Sequence, residues 1–289
     1  MKIAVLSYFS GKRNRGVETW AKNLKLHLSD FQIDIFSGPS SYNPFLWKSY
    51  DIIIPTNGRL QVLISRLVSW IARKPMIVFG HSGPGADDKW NLWCMPDVFV
   101  AFSSPQLLWV NKFKFPWTKI EKIPHAVDTT FFHPPKNKPL NPVVLCVAAN
   151  EPSKRVNLVV AAVKLLPGVK LRIVGHGQKE EIEFSQLPQT YHQVNVFCFV
   201  PQSWEAFGLV FLEAMATNLP IVTTNDLIRK EIVANAGIFV NKPEDARELS
   251  QAIKNALSRN WQDVPLKQAL KFSWRQTANL YVSLFKSLV

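Results

Sequence analysis

Residues 194–216 read VNVFCFV, then PQSW, then EAFGLVFLEAMA. The first run, Val194 to Val200, is apolar and rich in β-branched and aromatic side chains, which predicts a buried strand. Pro201 to Trp204 then reads as a loop at the carboxyl end of that strand. From Phe207 onward the spacing of Leu209, Leu212, Met215 and Ala216 turns helical. Glu205 falls on the loop, Gly208 in the first helical turn, and Glu213 a turn or two inside. Free amides at a helix start attract phosphate, and a glycine there lets a ligand approach the backbone. Two carboxylates beside such an anion site suit hydroxyl groups, as on a ribose and a sugar. Taken alone, the same two residues also fit an ordinary surface Glu and a helix-start Glu.

Outward from this unit, strand-like and helix-like runs alternate through most of the chain. Ile3–Tyr8, Ile33–Phe36, Ile52–Pro55, Met76–Phe79 and Val98–Phe102 read as strands, with helical runs at 17–28 and 60–72 between them. After a proline-rich segment, 134–142, the pattern restarts with Val143–Val147, a helix near 156–166, and Leu171–Val174. It continues past the Glu213 helix with Ile221–Thr224 and Ile238–Val240, and helices at 244–258 and 275–288 close the chain. Such alternation on both sides of one linker predicts two parallel-sheet α/β domains, 1–138 and 139–274, each large enough to bury a core. Ligands of such domains bind at the carboxyl ends of the strands, so facing domains would make a cleft.

The chain is 47% apolar and 19% charged, without a low-complexity tract or repeat. Met1-Lys2 leads directly into a short strand, which does not read as a signal peptide, and no apolar run of membrane-spanning length occurs. Cys94, Cys146 and Cys198 are far apart in apolar surroundings and read as reduced core thiols of a cytoplasmic protein. The net charge of +13 is uneven: residues 1–138 hold 18 Lys/Arg against 9 Asp/Glu, leaving +9 there. A basic amino-terminal half suits an anionic partner: lipid headgroups, a phosphorylated acceptor, or nucleic acid.

The Glu205–Glu213 stretch resembles the E-x7-E signature of retaining glycosyltransferases of family 4 (glycosyl transferases group 1). The likeness extends through Ala214-Met215-Ala216, Leu219-Pro220-Ile221-Val222 and Glu231-Ile232-Val233. Asn218 stands where that family commonly has Gly, and Asn is the next-best residue for a left-handed helix end. The resemblance implies the GT-B fold, two Rossmann-like domains facing a cleft. It implies that Glu205 contacts the donor sugar, Glu213 holds the nucleotide ribose, and the Phe207-Gly208-Leu209 backbone holds donor phosphate. Ile123-Pro124-His125-Ala126-Val127-Asp128 is similar to the family's I-P-N-G-V-D at the end of the first domain, with His125 and Ala126 replacing Asn-Gly. Phe272-Ser273-Trp274 is similar to its F-S-W before a last helix, 275–289, that crosses back to the first domain.

Lys154, in Asn150-Glu151-Pro152-Ser153-Lys154-Arg155, comes after a strand and precedes a helix, where two cations oppose the helix dipole unless something anionic compensates them. By resemblance Lys154 binds donor diphosphate; the Arg the family often has five positions earlier is here Ala149, and Arg155 is the candidate replacement. Gly175, in Val174-Gly175-His176-Gly177, lies just past a strand end where close backbone approach to a nucleotide is expected. The next segment, 180–193, is shorter than in relatives and lacks a strand they carry. Arg15-Gly16-Val17-Glu18 occupies the place of the family's G-G-x-E loop, with Gly16 toward the donor and Arg15 and Glu18 toward the acceptor. His81 lies just past a strand, at the place where relatives set a His beside the donor sugar; a lone His is otherwise structural.

Arg59, Arg66 and Arg73 recur every seven residues beside Leu60, Leu63, Leu67, Trp70 and Ile71. The expected arrangement is an amphipathic helix on the sheet with solvated arginines; a membrane-surface helix is the alternative. Trp109 to Lys122 interleaves Trp109, Phe113, Phe115 and Trp117 with four lysines, a pattern suited to anionic lipid or to single-stranded nucleic acid. No D-x-D and no His/Cys/Asp/Glu cluster with ligand spacing occurs, so no metal cofactor is expected.

Together these readings predict a metal-independent, retaining hexosyltransferase that moves a sugar from a nucleotide-sugar donor to a hydroxyl acceptor. The acceptor would be lipid-linked or part of a cell-envelope glycan, and the enzyme cytoplasmic and peripheral on an anionic membrane face. A DNA-modifying glycosyltransferase and a catalytically silent GT-B binding protein are the alternatives.

Overall fold

The computed structural model describes residues 1–12, 16–137 and 139–288. Along the chain run β1 (Lys2–Leu6), α1 (Gly16–His27), β2 (Gln32–Phe36), α2 (Pro44–Trp47), β3 (Ile52–Pro55), α3 (Arg59–Ala72), β4 (Ile77–Phe79), α4 (Ala86–Trp93), β5 (Val98–Ala101), α5 (Ser104–Asn111) and β6 (Lys119–Lys122). Next come β7 (Val143–Val147), α6 (Val156–Val163), β8 (Lys170–Val174), α7 (Leu187–His192), β9 (Val196–Cys198), α8 (Leu209–Ala216), β10 (Ile221–Thr224), α9 (Leu227–Val233), β11 (Gly237–Val240), α10 (Ala246–Ser258), α11 (Val264–Leu270) and α12 (Trp274–Lys286).

These form two compact units, residues 1–125 with 274–289, and residues 126–273. The division falls at 125/126 rather than after 138 because the segment from Ala126 packs with the second unit. Val127 bridges to Ser273, and Phe132 packs its ring against Phe184 and Tyr191.

In the first unit β1 lies between β2 and β3, and β5 between β4 and β6, all parallel. A parallel bridge from Ile53 to Met76 joins the two sets. Ile3, Ala4, Val5 and Leu6 are all fully buried, as expected of parallel strands covered on both faces. The last helix anchors here: Trp20 Nε1 on α1 donates to Tyr281 Oη on α12 at 2.9 Å.

Two expectations change in this unit. α3 is inverted: Val62, Ser65, Arg66 and Ser69 face inward, while Leu60, Leu63, Leu67, Trp70 and Ile71 are exposed. Arg66 tolerates burial because its guanidinium donates to Asp97 Oδ2 at 2.7 Å and to Ser69 Oγ at 3.3 Å, so its charge is paired and hydrogen-bonded. The stretch from Trp109 to Lys122 is divided between core and surface, with Trp117 exposed. Trp109 and Phe113 pack on a buried cluster that includes Val62, Leu92, Phe99 and Val110, and residues 119–122 form edge strand β6.

The second unit is one parallel sheet in the order β11-β10-β9-β7-β8. From β7 the chain moves outward to β8, then returns past β7 to β9 and continues the other way. The reversal leaves a crevice at the carboxyl ends of β7 and β9, the position at which doubly wound sheets bind ligands. The expected strand from Val194 shortens to β9, and the 180–193 segment forms a short 3-10 turn and α7 rather than a strand. Asn218 closes α8 at φ +59, the left-handed end expected of it.

Candidate active site

The two loops at the reversal bring Lys154 and Glu205 together. Beyond β7 the chain passes through a 3-10 turn, Pro152–Lys154, and then Arg155 turns left-handed at φ +54 before α6. Beyond β9 the loop at Gln202 is tied back to this turn, its amide donating to the Ser153 carbonyl at 3.2 Å. Lys154 Nζ lies 2.6 Å from Glu205 Oε2, with the two side chains 25% and 20% exposed. A half-buried ion pair at a ligand crevice offers one cation for an anion and one acceptor for hydroxyls once a ligand separates them.

Sequence reasoning did not find the residue that holds this loop. Arg229, on the first turn of α9, is fully buried. Its guanidinium donates to the Glu205 carbonyl at 2.8 Å and the Ser203 carbonyl at 3.1 Å, and its Nε donates to Asp226 Oδ2 at 2.8 Å. Asp226 also caps α9 by accepting from the amides of Ile228 and Arg229. The visible signal was an acid and a base three residues apart at a helix start, which by itself says nothing of the distant carbonyls.

Gly208 precedes α8 in a left-handed conformation, φ +88, one residue before the helix rather than inside its first turn. A Cβ there would meet the Phe211 ring at 2.7 Å. Phe207 is buried with its ring edge-on to Phe272, and Leu209 opens the helix. Glu213, in the middle of α8, is buried and accepts from Tyr191 Oη at 2.8 Å. Burial pushes its carboxyl pKa up to about 7, partly offset by the Tyr191 hydrogen bond. The structure therefore pairs Glu205 with Lys154, and Glu213 with Tyr191.

Gly175 sits where β7 and β8 end, and the close approach it permits is by the chain itself. A Cβ there would lie 2.2 Å from the Ala148 carbonyl oxygen, at a φ of +151 that favours glycine. The neighbouring turn is stitched to the β7 loop by Asn150, whose amide donates to the His176 carbonyl and whose Nδ2 donates to the Gly177 carbonyl.

Arg155 pairs with Glu244, whereas Lys154 pairs with Glu205. Arg155 lines a cavity of about 810 Å³ with Asn157, Ser203, Thr224, Asn225 and Asn241. Thr224 and Gln202 line the same space, and their buried Oγ1 and Oε1 have no hydrogen-bond partner among the described residues.

In the first unit, His81 sits among the rings of Trp20, Phe79, Phe102 and His125. Its Nε2 is covered and makes no hydrogen bond among the described residues, and burial pulls its pKa down, so the imidazole is neutral. Gly16 opens α1 at the surface and Glu18 is buried on its first turn. Arg15 lies outside the described residues. Asp88, fully buried, accepts from Gln106 Nε2 at 2.9 Å, and burial raises its carboxyl pKa to about 8.

Part of the chain matches a known family model, and its fold is that of known structures. Residues 141–259 match the family model described as Glycosyl transferases group 1. The Escherichia coli O-antigen chain mannosyltransferase B is 30% identical over 123 residues, 41% of this chain and 30% of that protein. The chain spans between 21% and 38% of the length of the curated relatives it matches. Among solved structures, Anabaena HepE in complex with UDP-glucose superposes over 100% of both chains with a TM-score of 0.81 at 16% identity. Sucrose-phosphate synthase from Thermosynechococcus elongatus superposes with a TM-score of 0.79 at 18% identity, over 99% of this chain and 98% of that one. The fold is thus the GT-B type expected from the sequence, two Rossmann-like parallel-sheet units, and the part of the chain that carries Lys154, Glu205 and Glu213 matches the glycosyl transferases of group 1.

Proposed function

We propose that the chain is a retaining glycosyltransferase that moves a hexosyl group from a nucleoside-diphosphate donor to a hydroxyl of a cell-envelope glycan. The observation that carries this reading is the Lys154–Glu205 pair at the sheet's reversal point, 2.6 Å apart and backed by Arg229. Residues 126–273 bind the donor and the basic first unit takes the acceptor. The names of the relatives support a hexosyl group and an envelope glycan, and the UDP-glucose complex of HepE supports the donor class.

On donor binding, the diphosphate takes over Lys154 while hydroxyls of the sugar donate to Glu205. The amides of Gly208 and Leu209 face the phosphate, and Glu213 accepts from the ribose. The bond from the anomeric carbon to the phosphate oxygen breaks and a bond to the acceptor oxygen forms on the same face. The acceptor's proton passes to the departing phosphate oxygen. No side-chain nucleophile is needed, and the charge that grows on the diphosphate is met by Lys154 and the helix amides, without a metal.

A thermal-shift screen against UDP, GDP, ADP and dTDP tests the donor site. The matching nucleotide at 100 times its Kd stabilises the protein by ~2.7 kcal/mol, and the shift falls by at least about half in Lys154→Ala. Absence of a shift with every nucleotide contradicts the reading.

A further inference from the structure

The outer face of α3 is an exposed apolar stripe. Leu60, Leu63, Leu67, Trp70 and Ile71 recur three and four residues apart, which sets them on one side of the helix. All five are exposed, Ile71 by 86%. Single exposed apolar side chains are ordinary, but five on one stripe make a contiguous patch of the kind that marks an interaction surface. The neighbouring helix α4 adds exposed Trp90 and Trp93, and is tied to the start of α3 by Arg59, whose amide donates to Asn91 Oδ1 and whose Nε donates to Asp87.

The charges around the patch decide its partner. Arg73 comes directly after α3, exposed and without an ion pair among the described residues. Lys89 lies over the rings of Trp93 and Phe113. The acids of these two helices are spoken for: Asp87 pairs with Arg59, and Asp88 is fully buried. The surface is therefore apolar, tryptophan-bearing and cationic at once.

We infer that this face of α3, extended by α4, docks the protein on an anionic lipid bilayer. Tryptophans sit at headgroup depth, leucine and isoleucine reach the acyl boundary, and each cation near the surface adds attraction that salt screens. No helix among the described residues is long and apolar enough to cross a membrane, so the contact is a surface one. The docking element is α3; in the 109–122 stretch Trp109 and Phe113 pack on the core. The inference stands apart from the transfer reaction.

Co-sedimentation of the full chain with phosphatidylcholine vesicles, with and without phosphatidylglycerol, at low and high salt, tests it. The protein should partition onto the anionic vesicles at low salt, with binding at least about tenfold weaker to the neutral ones. Leu67→Ser with Ile71→Ser, both on exposed positions, should lower the anionic partitioning by at least about tenfold, whereas Trp117→Ser should leave it within about twofold. Circular dichroism of the double variant checks that the fold is retained. The proposal is overturned by equal binding to both vesicle types, by no binding to either, or by binding insensitive to the double substitution. It is likewise overturned by self-association in lipid-free solution that the double substitution abolishes, which would assign the face to a second copy.

Discussion

Lys154 Nζ and Glu205 Oε2 form an ion pair at 2.6 Å across two loops that the sheet order brings together from 51 residues apart. A donor that uses both groups has to part them, so the two substitutions separate their roles. Lys154→Ala should weaken nucleoside-diphosphate binding by about 1.5–3 kcal/mol, the loss of one charge-assisted contact. Glu205→Gln should bind the diphosphate at least as tightly as the parent, because Lys154 no longer leaves an ion pair, and should turn over more slowly. Calorimetric titration beside steady-state rates checks both; parallel losses of affinity in the two variants would contradict the assignment.

Glu213 gives a pH dependence with a definite sign. Its folded carboxyl pKa is raised to about 7 by burial, so the folded state holds the proton more tightly than the unfolded chain. Stability should be highest below the ordinary carboxylate range and fall as pH rises toward about 7, by as much as about 3 kcal/mol, then level off. Glu213→Gln should flatten that slope in urea unfolding measured from pH 5 to pH 8. Nucleotide affinity should run the other way, rising through pH 7 as the carboxylate forms and accepts from the ribose. The same pH slope in both proteins would show that Glu213 is not the group responsible.

Arg229 positions the Glu205 loop without reaching the crevice itself. Arg229→Lys keeps the charge but loses the fork that spans Asp226 and two carbonyls, at a cost of about 1.5–3 kcal/mol of stability. Because its bonds end on the carbonyls of Ser203 and Glu205, kcat should fall more than nucleotide affinity does. A variant that loses stability while keeping the parental kcat would reduce Arg229 to a structural residue.

Two glycines separate conformation from space. Gly175→Ala forces a Cβ into the Ala148 carbonyl and should cost more than about 3 kcal/mol. Gly168→Ala, also at positive φ but with nothing within 4 Å, should cost only about 1 kcal/mol. Chemical denaturation of both variants settles the comparison; equal losses would mean that backbone conformation, not the contact, governs Gly175.

What could be read from the chain was what depends on near neighbours. The Val194–Ala216 unit, the left-handed Asn218 and the alternation of β7 to β11 follow from local spacing and composition. The partners of the site do not. Tyr191 meets Glu213 from α7, and Arg229 meets Glu205 from α9, through sheet order rather than spacing. The periodicity of α3 marked two stripes but not which one faces inward. That was decided by Asp97, which lies 31 residues from Arg66 and lets an arginine take the buried side. Gly175 was legible as a close approach, though the approaching atom is the chain's own carbonyl.

The most direct test is release of nucleoside diphosphate from UDP- and GDP-hexoses by the purified protein, with Lys154→Ala and Glu205→Gln measured beside it. The account predicts release with at least one donor, strongly reduced in both variants, with nucleotide affinity lost only in Lys154→Ala. Release that persists unchanged in both variants, or none from any donor, would contradict it.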